Sequence, residues 1–253
     1  MTDPDTDEFY VGYFPVAPPR LGKAVRRRAL TYLGVALAAG LGLAGTQGPF
    51  EVSSFEFGGN TALEGRLHAF PFPVLDVPRP GLTDRRAAYS RYLLMAPGKH
   101  GAANLVQGWD GRWVRLSGAL IYRQDQTAME LIPGSLVGAE PSERPEPAVE
   151  EVVGQQTLAG EIVDSKCFLG VMNPASQSVH RGCATRCISG GIPPLLVLRD
   201  STGPARYLLL VGAQGEVINA RLSGLIGIPV RVRGTVRREG SELVMAAGEI
   251  TPE

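Results

Sequence analysis

The chain has 253 residues, 44% of them hydrophobic, and its 25 Lys and Arg are balanced by 25 Asp and Glu. That composition excludes wholesale disorder, and the absence of net charge argues against a binder of phosphate backbones, which needs a strongly basic face. With 32 Gly and 20 Pro but only 7% aromatic residues, short strands joined by tight turns are expected rather than a helical bundle.

The first eight residues are acidic and polar, and residues 1–28 are expected to be a cytoplasmic tail. Tyr10, Tyr13 and Phe14 suit the lipid headgroup level, and Pro15, Pro18 and Pro19 oppose a long helix there. Residues 29–50 contain no charged side chain, and about 20 apolar residues at about 1.5 Å each match a hydrocarbon core of about 30 Å. The stretch is predicted to be a transmembrane helix. Arg20, Lys23, Arg26, Arg27 and Arg28 precede it, so the N-terminus is expected inside and everything beyond residue 50 outside, in the periplasm or extracellular space. A cleaved signal peptide, with Leu43-Ala44-Gly45 ahead of Thr46 as the cleavage region, and a buried soluble helix are the alternatives.

Two copies of one β unit follow, over residues 51–137 and 154–253, joined by a Pro- and Glu-rich linker at 138–153. Leu63-Glu64-Gly65-Arg66-Leu67 answers Leu158-Ala159-Gly160-Glu161-Ile162. Arg91-Tyr92-Leu93-Leu94-Met95 answers Arg206-Tyr207-Leu208-Leu209-Leu210. Val114-Arg115-Leu116-Ser117-Gly118 answers Val230-Arg231-Val232-Arg233-Gly234, and Met129 answers Met245. The alternation around Trp113 to Arg123 and from Val230 to Val236 is that of half-buried strands, and Gly118 and Gly234 inside those runs mark a bulge or a barrel corner. Gln124-Asp125-Gln126 and Glu239-Gly240-Ser241 supply hairpin turns. The expected fold is mainly β: a single transmembrane helix followed by two tandem OB-like barrels. Their Arg residues alternate as a solvated face would, without interleaved stacking aromatics, so no nucleic-acid binding is expected.

The copies differ in one respect. Gly65 to Tyr92 spans 27 positions and Gly160 to Tyr207 spans 47, so the second copy carries about 20 extra residues. All three cysteines and one of the three histidines lie there, as C-x12-H-x2-C-x3-C. His180, Cys183 and Cys187 fall on one helical face, and Cys167, at the end of the first strand, closes the set. Three thiolates and an imidazole suit zinc; soft sulfur also suits copper, with Met172 as a further donor, and a mixed set can hold an iron–sulfur cluster. Two other readings stay open. A disulfide from Cys167 to Cys183 or Cys187 would staple the insertion, and a C-x3-C thiol pair could do redox chemistry. Asp164 reads as a strand-end partner of Lys166 or as the hydrogen-bond partner of His180. Gly190-Gly191-Ile192-Pro193-Pro194 should end the helix.

Val163-Asp164-x-x-Cys167, His180-x-x-Cys183-Ala184-x-x-Cys187 and Gly190-Gly191-x-Pro193, with the strand anchors after them, resemble a widespread set of exported bacterial OB-like domains over residues 155–250. The resemblance implies fold and compartment and no reaction; the first copy and the anchor lie outside it. Elsewhere, His68 reads as a strand or loop residue with a ligand as the alternative, Lys99-His100-Gly101 after Pro97-Gly98 as a surface loop with a contact to a partner or anionic ligand as the alternative, and Trp109 and Trp113 as packing around a turn. No nucleophile elbow, Walker loop, HExxH, dinucleotide fingerprint or matched acid–base pair is present, so no catalytic activity of its own is expected. The expected function is metal or cofactor binding by a single-pass protein of the inner (cytoplasmic) membrane with its C-terminal domains outside, as an accessory or electron-carrying subunit of a membrane redox or metal-handling complex. The alternative is a disulfide-stapled assembly module docked on a membrane protein.

Overall fold

In the computed structural model, residues 19–46, 53–79, 88–124, 126–141, 150–198 and 206–253 are described, and the chain divides into two units, Met1–Phe50 and Glu51–Glu253. The first unit carries helix α1, Pro19–Thr46. Pro19 opens it, where its missing N–H costs nothing and its fixed φ suits a helix. Within Arg20–Gly45 an 18-residue window reaches a mean hydropathy of 1.3, so the helix is long and apolar enough to cross a membrane, as a signal sequence is too. The helix therefore starts ten residues before the expected boundary at residue 29, and the basic cluster from Arg20 to Arg28 rides on its first turns rather than on a separate tail. Tyr10, Tyr13, Phe14 and residues 47–50 lie outside the described residues.

The second unit is β. Strands β1 (Ser53–Phe55), β2 (Thr61–His68), β3 (Val74–Pro78), β4 (Tyr89–Met95), β5 (Trp113–Arg123), β6 (Gln126–Leu131) and β7 (Val137–Gly138) form one sheet. Its order is β1-β5-β2-β3-β4-β6, with β7 on β5 and a further β5–β6 pairing. Strands β8 (Glu150–Asp164), β9 (Pro194–Leu198), β10 (Arg206–Gly212), β11 (Pro229–Glu239) and β12 (Glu242–Pro252) close a barrel in the order β10-β12-β11-β8-β9. Strand β8 starts at Glu150, inside the stretch expected to be linker, because residues from Glu150 onward pair with the far end of β11. Residues 142–149 and Asp125 lie outside the described residues.

The repeated residues occupy matching places. A parallel strand pairing in each half sets Leu94 opposite Met129 and Leu210 opposite Met245. A Cβ on Gly65 or Gly160 would collide with a carbonyl oxygen of the next strand, Asp76 or Val197, and one on Gly118 or Gly234 with that of Glu130 or Ala246. The glycines recur because two backbones cross there too closely for any side chain. The pairing slips by one residue at Arg233/Gly234, the expected bulge; the pairs of Gly118 run on in register.

Three clusters of buried side chains make the interior. One, with Leu67, Leu94, Leu116 and Met129, lies inside the first sheet, and another, with Ile162, Leu210, Val232 and Met245, inside the barrel. The third joins them: Val74, Leu93, Met95 and Ile121 of the first sheet pack with Val163, Leu195, Tyr207 and Leu209 of the barrel and with Phe168 and Leu169 of the insertion. This explains why β4 and β10 read as continuous apolar runs. Alternate residues face two different cores, so both faces are buried. Each such Leu or Met removed from water contributes about 1.5–3 kcal/mol. Tyr207 seals the joint by donating its hydroxyl to the carbonyl of Arg123 at 2.8 Å.

Candidate metal centre

The barrel's first strand ends at Asp164, and a π-helical turn, Cys167–Val171, begins the insertion. Helix α2, Gln177–Ser189, then carries His180, Cys183 and Cys187. Spacings of three and four put these side chains on one helical face. Gly190 caps the helix by donating its N–H to the carbonyls of Arg186 and Cys187, and Gly191, at φ +94°, turns the chain back toward β9.

The four residues expected as ligands gather around Cys167. The donor atoms of Cys167, His180 and Cys183 lie within 4.8 Å of one another, and so do those of Asp164, Cys167 and Cys187. The Sγ atoms of Cys167 and Cys183 are 4.0 Å apart, and all three thiols are free. Donors at about 2.0–2.3 Å from a tetrahedral ion stand about 3.3–3.8 Å from one another, close to the 4.0 Å between Cys167 and Cys183, whereas Cys187 is grouped with Asp164 and Cys167 and not with His180 and Cys183. Asp164 is 0% and His180 3% exposed, and Cys187 is 1% exposed.

Asp164 organises the cluster. Its Oδ1 accepts the backbone N–H of Cys167 at 2.9 Å, and its Oδ2 lies 3.1 Å from Nε2 of His180. A carboxylate on Nε2 leaves Nδ1 as the nitrogen that can reach a metal, the arrangement that orients ligating histidines elsewhere. Of the two sequence readings of Asp164, the structure has the bond to His180. Lys166 turns the other way, donating to the carbonyls of Ala96 (2.9 Å) and Gly98 (2.7 Å) and pairing with Glu130.

Those carbonyls belong to the first sheet. The loop at residues 96–101, expected to be a surface loop, lies against the insertion, and Gly101 donates its N–H to the Gly190 carbonyl at 2.9 Å. A Cβ on Gly101 would run into the Gly191 carbonyl, and one on Gly190 into that of Lys99. This close approach delivers Lys99 to the thiols: its Nζ is 2.7 Å from Sγ of Cys183 and 3.9 Å from that of Cys187. Sequence reading missed Lys99, since nothing in local spacing ties residues 84 apart in the chain. His68 pairs instead with Asp76 at 3.3 Å, and Met172 is half-exposed at the end of the π-helical turn.

The electrostatics follow from these contacts. The hydrogen bond to Cys187, reinforced by burial and the Asp164 carboxylate, keeps the proton on Cys167; the same bond holds the Cys187 thiol below its ordinary range. The bond to Cys183 raises Lys99 and keeps it cationic. A buried group of thiols with one oriented imidazole and an adjacent ammonium is suited to soft cations and equally to thiol oxidation. No known protein family, curated protein or solved structure matches the chain.

Proposed function

We propose that the chain is a membrane-anchored, exported metal-binding protein built from two tandem OB-like domains, with Cys167, His180, Cys183 and Cys187 holding a soft metal ion. The observation that carries this reading is the convergence of Cys167, His180 and Cys183 within 4.8 Å, beside Cys187, on an insertion that the sister copy lacks. Zinc fits the donor set best, with three thiolates and an imidazole; copper or an iron–sulfur cluster would use the same residues. The OB-like assignment is supported by the parallel pairing of β4 with β6 and of β10 with β12 and by the resemblance of the Cys/His motif. The anchor and its orientation rest on the apolar stretch of α1 and the basic residues ahead of it. With zinc, which has no redox chemistry, the role is that of an accessory subunit of a membrane complex; with copper or an iron–sulfur cluster it is that of an electron-carrying one. Elemental analysis of the full chain, purified under reducing and anaerobic conditions, tests it: one ion per chain is expected, lost in Cys167→Ser, and metal-free protein with reduced thiols would refute it.

A second reading has its own observation. The Sγ atoms of Cys167 and Cys183 stand 4.0 Å apart, so a thiol–disulfide oxidant that takes up two electrons and two protons could join them, and the disulfide would make the insertion a stapled assembly element. Mass mapping of thiols after non-reducing isolation separates the two.

A further inference from the structure

We propose that the half of the chain without cysteines carries a binding site of its own, for a small planar organic anion: a flat conjugated ring bearing a carboxylate or a phosphate. The site is the cavity between the turn that leads into β5 and the chain that follows β7, and it stands apart from the metal reading.

The cavity has a volume of about 520 Å³, within the range of about 300–1,000 Å³ usual for small-molecule sites. Its walls supply both things such a ligand needs. Trp109, Trp113 and Tyr89 give ring surface, and Arg66 and Arg112 give guanidinium groups. The chain has two tryptophans, and both stand here.

Local geometry explains why two cations share one cavity. Asp110-Gly111-Arg112 forms the turn, with Gly111 at φ +71°. The turn is bonded to β2 in both directions: Gly111 donates its N–H to the Leu67 carbonyl, and Leu67 donates to that of Arg112, each at 2.9 Å. Arg66 stands opposite Trp113 across β2 and β5, and its Nε donates to the Gly111 carbonyl at 3.3 Å. Arg112 lies over the Trp109 ring, 5.4 Å from its centroid, so stacking orients this guanidinium before a ligand arrives. On the opposite wall, Ala139 donates its N–H to the Trp113 carbonyl at 3.1 Å, which ties that wall to the same strand.

The charges select an anion. The acids beside the turn are engaged elsewhere: Asp110 accepts the N–H of Ala69 at 2.7 Å, and Glu64 accepts from Nε1 of Trp113 at 3.1 Å and pairs with Arg115 at 2.8 Å. Among the described residues, Glu140 is the one acid lining the cavity, and neither Arg66 nor Arg112 meets a carboxylate. Two guanidiniums without a carboxylate of their own match the paired oxygens of a carboxylate or phosphate. Beside indole faces, a flat ring on that anion gains an apolar burial that a simple ion does not.

Titration of the full chain in a nonionic detergent tests this, with benzoate and phenyl phosphate as probes and acetate and inorganic phosphate as their ring-free counterparts. Because both tryptophans line the cavity, their emission reports occupancy, and calorimetry gives the affinity. At least one aryl anion is expected to bind saturably and shift the emission, about tenfold or more tighter than its ring-free counterpart. Which of the two does so names the anionic group. Arg66 and Arg112 are exposed, so replacing them leaves the core intact; Arg66→Met and Arg112→Met should each weaken binding about tenfold. Arg231→Met, on an exposed position of the barrel, should leave it unchanged. No saturable binding of either aryl anion would overturn the site, as would binding unaltered in both Arg66→Met and Arg112→Met. Equal affinity for aryl and ring-free anions would overturn the ligand class.

Discussion

Replacing Glu242 by Gln should stabilise the protein at neutral pH, and the size of the effect follows from its surroundings. Glu242 opens β12 directly across from Glu239, which closes β11, around a turn at Gly240 with φ +62°. Its side chain is buried, and its Oε2 has no hydrogen-bond partner among the described residues. The nearest guanidinium, Arg91 of β4, is already spent: Nε and Nη2 grip Asp76 at 2.8 and 2.9 Å, and Nη1 grips Glu239 at 2.7 Å. Burial, with Glu239 and Asp76 adding and Arg91 opposing, pushes the Glu242 carboxyl up to about 7 from 4.5. A carboxyl raised in the folded state favours folding when protonated. Its contribution is complete below about pH 4.5, falls as the pH rises, and is gone above about 7. That interval corresponds to about 3 kcal/mol. Urea unfolding followed by the fluorescence of Trp109 and Trp113 should therefore show wild type and Glu242→Gln equally stable near about pH 4.5, and the variant ahead by up to about 3 kcal/mol near about pH 8. Parallel pH profiles would refute the assignment of a buried, unpartnered carboxyl at this joint.

Three further outcomes are expected. Arg91→Met should cost about 3–5 kcal/mol in the same unfolding assay, because it strands Asp76 and Glu239 without their cation. Gly101→Ala should destabilise by about 1–3 kcal/mol, since its Cβ would meet the Gly191 carbonyl, and hydrogen exchange should show the loop at residues 96–101 opening faster. Cys167→Ser should lose more metal on elemental analysis than Cys187→Ser, because Cys167 belongs to both ligand groups and Cys187 to one.

Much of the β architecture was legible because its cues are local. Period-two alternation marked β5 and β11, and the repeated glycines marked points where backbones cross. The helical face of α2 was legible from the spacing of His180, Cys183 and Cys187. Residues such as Lys99, Arg91 and Glu239 were not, because their meaning lies in contacts between distant parts of the chain: Arg91 and Glu239 are separated by 148 positions. The continuous runs of β4 and β10 did hold a clue, since a strand apolar on both faces must be covered twice, but a run alone cannot name its cover. Helix α1 begins at Pro19, ahead of the uncharged stretch that hydropathy marks, because a helix continues through Arg and Lys as readily as through Leu.

The joint between the first sheet and the barrel ties the two halves to each other. Val74, Leu93, Met95 and Ile121 form an apolar wall on one half whose complement is the other half together with its cysteine-bearing arm. A chain cut between them would present that wall to water, with an aggregation hazard on each fragment. One half bears the three cysteines, and the other supplies the wall and the loop that lie against the segment bearing them.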